Sequence, residues 1–168
     1  DLQIQDCNKA LSLYPNFAEA FYYRGFAYSK KKQYALAIED ISRAIQLKPS
    51  EELFYTRGTC YGQIGDFDRE ISDCTKAIEL KPTYAKAYNN RGSGYAGKEE
   101  YSRAIQDFNK AIELRPDYVE AHFNRAVAFY SIAAYDLAWA DIERCQKLGG
   151  KPHPDFIRAL TVASGRAK

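Results

Sequence analysis

The stretch YNNRGSGYAGKEEYSRAIQDFNKAIELRP, from Tyr88 to Pro116, decides the fold of this 168-residue chain. In its first part an Arg-Gly pair and a second tyrosine lie three, four and seven residues after Tyr88, which is the spacing of one helix face. Its second part, from Tyr101, carries apolar and small residues at the same helical period. Only the polar pair Glu99-Glu100 comes between the two parts. Because helices joined by so short a turn become antiparallel neighbours, the stretch predicts a helical hairpin.

The same pattern recurs along the whole chain. The prolines that close its copies are spaced by 34, 33 and 34 residues, at Pro15, Pro49, Pro82 and Pro116. Each proline ends a second helix, because it disfavours α geometry in the residue before it. A fixed period of this length predicts stacked helical-hairpin repeats in one continuous all-α array over residues 1–168. The predicted segments are a half repeat at 1–17 that has only the second helix, repeats at 18–50, 51–84, 85–118 and 119–150, and a capping helix at 151–168.

The repeat resembles the tetratricopeptide repeat (TPR), whose pattern is a large aromatic, Leu-Gly, Tyr, then Ala, Phe, Ala and Pro at set intervals. The third repeat matches it at Tyr88, Gly92, Tyr95, Ala104, Phe108, Ala111 and Pro116. Arginine replaces the leucine in every repeat, Glu70 replaces a small alanine, Ala126 the fourth glycine and Gly150 the last proline. The resemblance covers residues 1 to about 148. It implies a right-handed α-α superhelical solenoid, whose first helices line a concave groove, and a non-enzymatic protein–protein interaction scaffold.

Two charged positions recur with the repeats. The arginines are Arg24, Arg57, Arg91 and Arg125, and the aspartates are Asp6, Asp40, Asp73, Asp107 and Asp141. An arginine on a packing stripe is too costly to bury without a partner. We therefore expect Arg–Asp pairs that join each first helix to an adjacent second helix. A row of arginines that binds phosphate or carboxylate ligands is the alternative.

Composition and motifs argue against several classes of function. The formal net charge is +2, so no strong field selects nucleic acid or an anionic membrane surface, and no run of 18 apolar residues predicts a membrane span. The two histidines lie in no catalytic or metal-binding motif. The four cysteines occupy small packing positions without a C-x-x-C pair, which predicts inert buried thiols. We predict that the protein is not an enzyme and has no cofactor or metal site.

The first-helix residues that packing does not use predict a peptide-binding groove. They are Tyr22, Tyr23, Phe26, Tyr55, Thr56, Thr59, Lys86, Asn89, Asn90, Ser93, Phe123, Asn124 and Tyr130. A solvated face without a task is mostly Lys, Glu and Gln, whereas aromatic and amide residues are typical of interfaces. Asn90 and Asn124 share one register, and each amide can donate to and accept from a peptide backbone. The prediction is a peptide or protein partner held by aromatic anchoring and Asn/Thr hydrogen bonds.

The predicted groove lacks the residues expected for two other classes of partner. The residues that clamp the carboxylate end of heat-shock chaperone tails are matched at only one place in each window of three repeats, and Glu120 would repel such a tail. RNA binding needs a basic groove, whereas this one carries Glu19, Glu52 and Glu120 against Lys86. Neither a chaperone-tail adaptor nor a nucleic-acid binder is therefore expected.

Both ends of the chain leave alternatives open. The half repeat lacks its first helix, so its apolar residues Leu2, Ile4, Leu11 and Leu13 would be partly bare. Self-assembly into homo-oligomers through residues 1–14 is therefore an alternative function, as is the recognition arm of a larger enzyme. At the other end, Pro154 and the apolar stripe after it predict a helix that caps the last repeat or, alternatively, enters the groove.

The start of the chain bears on its location. It begins in mid-repeat without a methionine, which indicates a processed product or an excised domain. The sequence favours a cytoplasmic location, although a targeting segment could have been cut away.

Overall fold

Residues 2–166 of the computed structural model are described, and they form ten α-helices without a β-strand. The helices are α1 Leu2–Leu13, α2 Ala18–Lys30, α3 Tyr34–Leu47, α4 Glu51–Gln63, α5 Phe67–Leu80, α6 Ala85–Gly97, α7 Tyr101–Leu114, α8 Val119–Ser131, α9 Tyr135–Lys147 and α10 Pro154–Ser164. Asp1, where the predicted half repeat begins, and Ala167 and Lys168, where the predicted capping segment ends, lie outside the described residues. The predicted all-α class is confirmed.

The helices fall into two compact units. Unit 1, Asp1–Thr83, holds α1 to α5, and unit 2, Tyr84–Lys168, holds α6 to α10. In unit 1 the hairpins α2–α3 and α4–α5 make the most extensive contacts, α1 packs on α2, and α3 packs on α4. In unit 2 the hairpins are α6–α7 and α8–α9, with α7 against α8 and α10 against α9. The division of the chain into one continuous array of four and a half repeats stays a prediction.

Small residues and a few larger ones make up the cores of both units. In unit 1 a buried cluster consists of Ala37, Ile41, Ala44, Leu53 and Cys60. In unit 2 the buried clusters consist of Ala104, Phe108 and Ala128; of Ala111, Tyr118 and Ala121; and of Ala126, Ala138, Ile142 and Leu160. All four cysteine side chains are buried, as the sequence predicts.

The prolines end the second helices as predicted. The residue before each of three prolines has left the helix, with φ and ψ of −153° and 85° at Lys48, −142° and 89° at Lys81, and −143° and 90° at Arg115. These are extended angles, which a residue before proline prefers. A different turn occurs between the helices of each hairpin, where Lys32, Gly65, Glu99 and Ala133 all have φ between 58° and 77°.

The first helix of each hairpin approaches its second helix closely at the recurring glycines. A Cβ added at Gly92 would lie 2.7 Å from Cε1 of Phe108, and one at Gly25 would lie 2.8 Å from Cγ1 of Ile41. The absence of a side chain at these glycines therefore lets the two helices pack closely.

Glu70 departs from this pattern. It occupies the α5 position that Ala37, Ala104 and Ala138 fill elsewhere, and it is buried at 5% exposure. Burial raises the pKa of its carboxyl to about 8. A Cβ added at Gly62 would lie 2.5 Å from Oε1 of Glu70, so the missing side chain at Gly62 makes room for this carboxyl.

The expected Arg–Asp pairs are present in all four hairpins. The guanidinium Nε and Nη2 of Arg24 donate to the two oxygens of Asp40 at 2.7 Å each, and Arg57–Asp73, Arg91–Asp107 and Arg125–Asp141 repeat this geometry at 2.6 to 2.8 Å. A third nitrogen, Nη1, also reaches the preceding second helix, where that of Arg24 donates to Asn8, that of Arg57 to Ser42 and that of Arg125 to Asn109. Asp6, the fifth recurring aspartate, is exposed in α1. The arginines thus serve the packing of first helices on second helices.

Candidate functional site on the first helices

The predicted groove residues of unit 1 form one surface, the unit 1 face, on the neighbouring first helices α2 and α4. Its members are Tyr22, Tyr23, Phe26, Tyr55, Thr56 and Thr59. The rings of Tyr22 and Tyr23 are 5.3 Å apart, and those of Tyr22 and Phe26 are 6.2 Å apart. Tyr23 is 52% exposed, whereas Tyr22 and Phe26 are half-buried, so this aromatic cluster is partly open to solvent.

The hydroxyl groups of Thr56 and Thr59 in α4 form hydrogen bonds to backbone carbonyls of the same helix. Thr56 is buried, and its Oγ1 donates to the carbonyl of Glu52 at 2.7 Å. The Oγ1 of Thr59 donates to the carbonyl of Tyr55 at 2.9 Å. Thr56 therefore lies deeper than a freely exposed groove residue would.

A cavity of about 300 Å³ lies between α2 and the start of α4. It is lined by Ala18, Glu19, Tyr22, Lys48, Pro49, Ser50, Glu52 and Leu53. Burial raises the pKa of Tyr22, and the negative charge of Glu52 raises it further, whereas a hydrogen bond with Thr56 lowers it. The sequence placed Glu19 and Glu52 on the groove face but gave no sign of a cavity there.

The predicted residues of unit 2 form a second surface, the unit 2 face, on α6 and α8. Its members are Lys86, Asn89, Asn90, Ser93, Phe123, Asn124 and Tyr130. An amide network joins several of them, because Asn124 Nδ2 donates to Asn89 Oδ1 at 3.1 Å and Asn89 Nδ2 donates to Asn90 Oδ1 at 3.4 Å. Asn89 is buried at 5% exposure, whereas Lys86 is exposed. The two predicted asparagine rungs are thus connected through a third asparagine.

The aromatic residues of the unit 2 face meet the C-terminal helix. The ring of Phe156 in α10 lies 5.5 Å from the rings of both Phe123 and Tyr130, in edge-on geometry. Leu160 of the same helix is fully buried in the core under α8 and α9. The helix therefore packs against α8 and α9, and its Phe156 contacts two predicted anchors. That it caps the last repeat stays a prediction. The sequence predicted an apolar stripe in this helix but not which residues it meets.

The described residues hold other polar groups but no metal-ligand cluster. His122, in the aromatic packing position of α8, is buried with Nδ1 3.2 Å from Asp141 Oδ1 and Nε2 3.1 Å from the carbonyl of Pro116. Within residues 2–166 no three His, Cys, Asp or Glu side chains are grouped so that they could hold a metal ion. In the same range no helix is both long and apolar enough to cross a bilayer.

Comparison with solved structures finds TPR proteins. A crystal structure of MamA is similar over 87% of this chain and 86% of its own, at 25% identity and a TM-score of 0.80. The first TPR of Spaghetti (RPAP3), bound to the HSP90 peptide SRMEEVD, matches 69% of this chain and 93% of its own, at 26% identity and a TM-score of 0.67. YrrB, a TPR protein with an unusual peptide-binding site, shares the fold over 98% of this chain and 82% of its own, at 21% identity and a TM-score of 0.75.

Family models match three parts of the chain. Models described as tetratricopeptide repeat match residues 18–51 and 51–84, and a model described as TPR repeat matches residues 95–132. A search of the curated proteins found no significant match. The matched residues cover more than half of the sequence and include the hairpins α2–α3 and α4–α5 and the helices α7 and α8. The chain belongs to the tetratricopeptide repeat family.

Proposed function

We propose that the chain binds a peptide or a segment of a partner protein on its first-helix faces, by aromatic anchoring and by amide and hydroxyl hydrogen bonds. The TPR fold and its structural neighbours support the broader role of a protein-interaction scaffold. The observation that carries the finer proposal is the aromatic cluster of Tyr22, Tyr23 and Phe26, which exposes the ring of Tyr23 to solvent. Exposed aromatic groups of this kind are costly to hydrate and typical of interfaces.

The unit 2 face supports a hydrogen-bonding role. Its network of Asn89, Asn90 and Asn124 holds the amide groups of α6 and α8 in fixed orientations. Preorganised amides lose little side-chain entropy when they bind a peptide backbone. An extended segment could therefore bind there with little demand on its sequence.

We also propose that the protein is not an enzyme. TPR proteins are typically non-enzymatic interaction modules, and the role proposed for the first-helix faces needs no chemical step. We likewise propose no role in binding nucleic acid.

A pull-down that compares two triple variants tests the proposed faces. The test variant carries Tyr22→Ala, Tyr55→Ala and Asn90→Ala. The control carries Glu39→Ala, Gln106→Ala and Glu143→Ala, three exposed positions on second helices. Partners recovered by the wild type and the control but lost by the test variant would support the proposal. Equal recovery by all three proteins, each shown to be folded by circular dichroism, would refute it.

Self-assembly through residues 1–14 is a second candidate, favoured by the exposed apolar side chains at this end. Leu2 is 73% exposed and Leu13 65%, and the adjacent Tyr14 is 67% exposed. Light scattering over a range of concentrations tests this function, with a Leu2→Ser, Ile4→Ser variant as the comparison. A mass that does not rise with concentration in the wild type would exclude it.

A further inference from the structure

We propose that the cavity between α2 and α4 takes a basic side chain, arginine or lysine, of the bound peptide. This inference rests on the proposed function and names the chemistry of the partner. The cavity has a volume of about 300 Å³, is partly open to solvent, and has apolar lining residues in Ala18, Tyr22, Pro49 and Leu53. It is therefore large enough for one long side chain with an apolar stem.

The polar groups of the cavity favour a positive charge at the end of that stem. Ser50 is already used as the N-cap of α4, where its hydroxyl accepts from the backbone N–H of Leu53. Lys48 is paired with Glu19 at 3.1 Å. Glu52 adds a second carboxylate, and its negative charge acts on the hydroxyl of Tyr22. The carboxylates of the lining outnumber its single lysine.

The start of α4 does not reverse this preference. A helix N-terminus attracts anions through its free N–H groups and its dipole. Here the side chain of Ser50 caps one of those groups, and the first turn carries its own carboxylates in Glu51 and Glu52. The helix end is thus partly neutralised by the chain itself.

The neighbouring aromatic cluster points to the same sign of charge. The faces of aromatic rings attract cations, and arginine also stacks on them. On this surface Lys30 already places its Nζ 5.0 Å from the centre of the Phe26 ring. Tyr22 belongs both to this cluster and to the cavity lining. Lysine and arginine are the side chains that join an apolar stem to a charged head, so they match both parts of the cavity.

Selection from a random dodecapeptide phage library on the full chain tests the inference. We expect the selected peptides to be enriched in arginine or lysine, and synthetic copies to bind more weakly as salt concentration rises. A Glu19→Gln, Glu52→Gln variant should bind these copies about fivefold more weakly, the loss expected for exposed charge pairs. The control, Glu39→Gln with Glu143→Gln, removes the same charge at exposed second-helix positions and should bind like the wild type.

The outcomes separate this inference from the proposed function. Selected peptides without an excess of basic residues, or equal binding to both double variants, would overturn the basic-side-chain inference and leave peptide binding intact. A library that yields no enriched peptide would overturn the proposed function and this inference with it. Synthetic peptides in which glutamate replaces the basic residue should lose binding. If such glutamate peptides still bind, the inference is contradicted.

Discussion

Replacement of Glu70 by glutamine should stabilise the protein at pH 8 and leave it nearly unchanged at pH 5. Glu70 is 5% exposed at a position where the other hairpins have alanine. Burial raises the pKa of its carboxyl from the ordinary 4.5 to about 8. Ionising this group inside the folded protein is therefore costly, because a charge in a desolvated site is unfavourable. Glutamine keeps the size of the side chain and cannot ionise.

The size of the effect follows from the two pKa values. Below pH 4.5 the carboxyl is protonated in both the folded and the unfolded chain, and its stabilising contribution is fully present. Between pH 4.5 and about 8 the unfolded chain loses the proton while the folded chain keeps it, so stability falls as pH rises. The loss is about 1.4 kcal/mol for each pH unit where only the unfolded chain is ionised, and less close to each pKa. Between pH 5 and pH 8 it amounts to about 3.5 kcal/mol.

Urea unfolding followed by circular dichroism at pH 5, 6, 7 and 8 measures this loss. The free energy of unfolding of Glu70→Gln minus that of the wild type should grow by about 3.5 kcal/mol over this range. The exposed Glu39→Gln provides the control and should give a difference that stays near zero. A difference between Glu70→Gln and the wild type that is constant from pH 5 to pH 8 would refute the reasoning.

The remaining predictions concern packing and the hairpin turns, each read from urea unfolding at pH 7. Gly62→Ala should cost about 1 kcal/mol or more because its Cβ would meet the Glu70 carboxyl at 2.5 Å, but in a Glu70→Ala background it should be neutral or stabilising, since alanine favours helix. Asp73→Ala should cost about 3 kcal/mol, because the largely buried guanidinium of Arg57 loses both carboxylate hydrogen bonds. Gly65→Ala should cost about 1 kcal/mol, because φ is +77° there.

Each of these predictions has a matched comparison. Equal effects of Gly62→Ala in both backgrounds would contradict the proposed contact with Glu70. The exposed Glu39 of α3 is the control for the ion pair, and its change to alanine should cost less than about 0.5 kcal/mol. Ala133 has φ of +58° in the equivalent turn, so the reverse change, from alanine to glycine, can be tested there. Ala133→Gly should not lower the free energy of unfolding of the protein. A loss of stability on that change would contradict the argument from backbone geometry.

Much of the fold could be predicted because each hairpin repeats local signals. The residue before Pro49, Pro82 and Pro116 leaves the helix, since proline restricts that residue wherever it occurs. The partners of Arg24 could be inferred because a buried guanidinium needs a carboxylate, and Asp40 recurs with it in every complete repeat. These arguments need only local sequence signals and the length of the repeat.

The candidate site was less predictable because it depends on contacts between separate helices. Thr56 and Asn89 were expected in an open groove, and both are buried. Period alone places a residue on a helix face, but the tilt and rotation of the neighbouring helix decide how deeply its side chain lies. The contact of Phe156 with Phe123 is of the same kind, because it depends on how α10 lies across α8.

The sequence by itself determined the hairpins, their ends and the pairing of arginine with aspartate, because helix period, proline geometry and the cost of burying a charge act locally and recur. Only the tertiary structure decided which carboxylates and rings enclose the cavity beside Tyr22, and that Gly62 makes room for Glu70. Such features arise where side chains from different helices meet, and a change of a few ångströms in helix packing would open or close them.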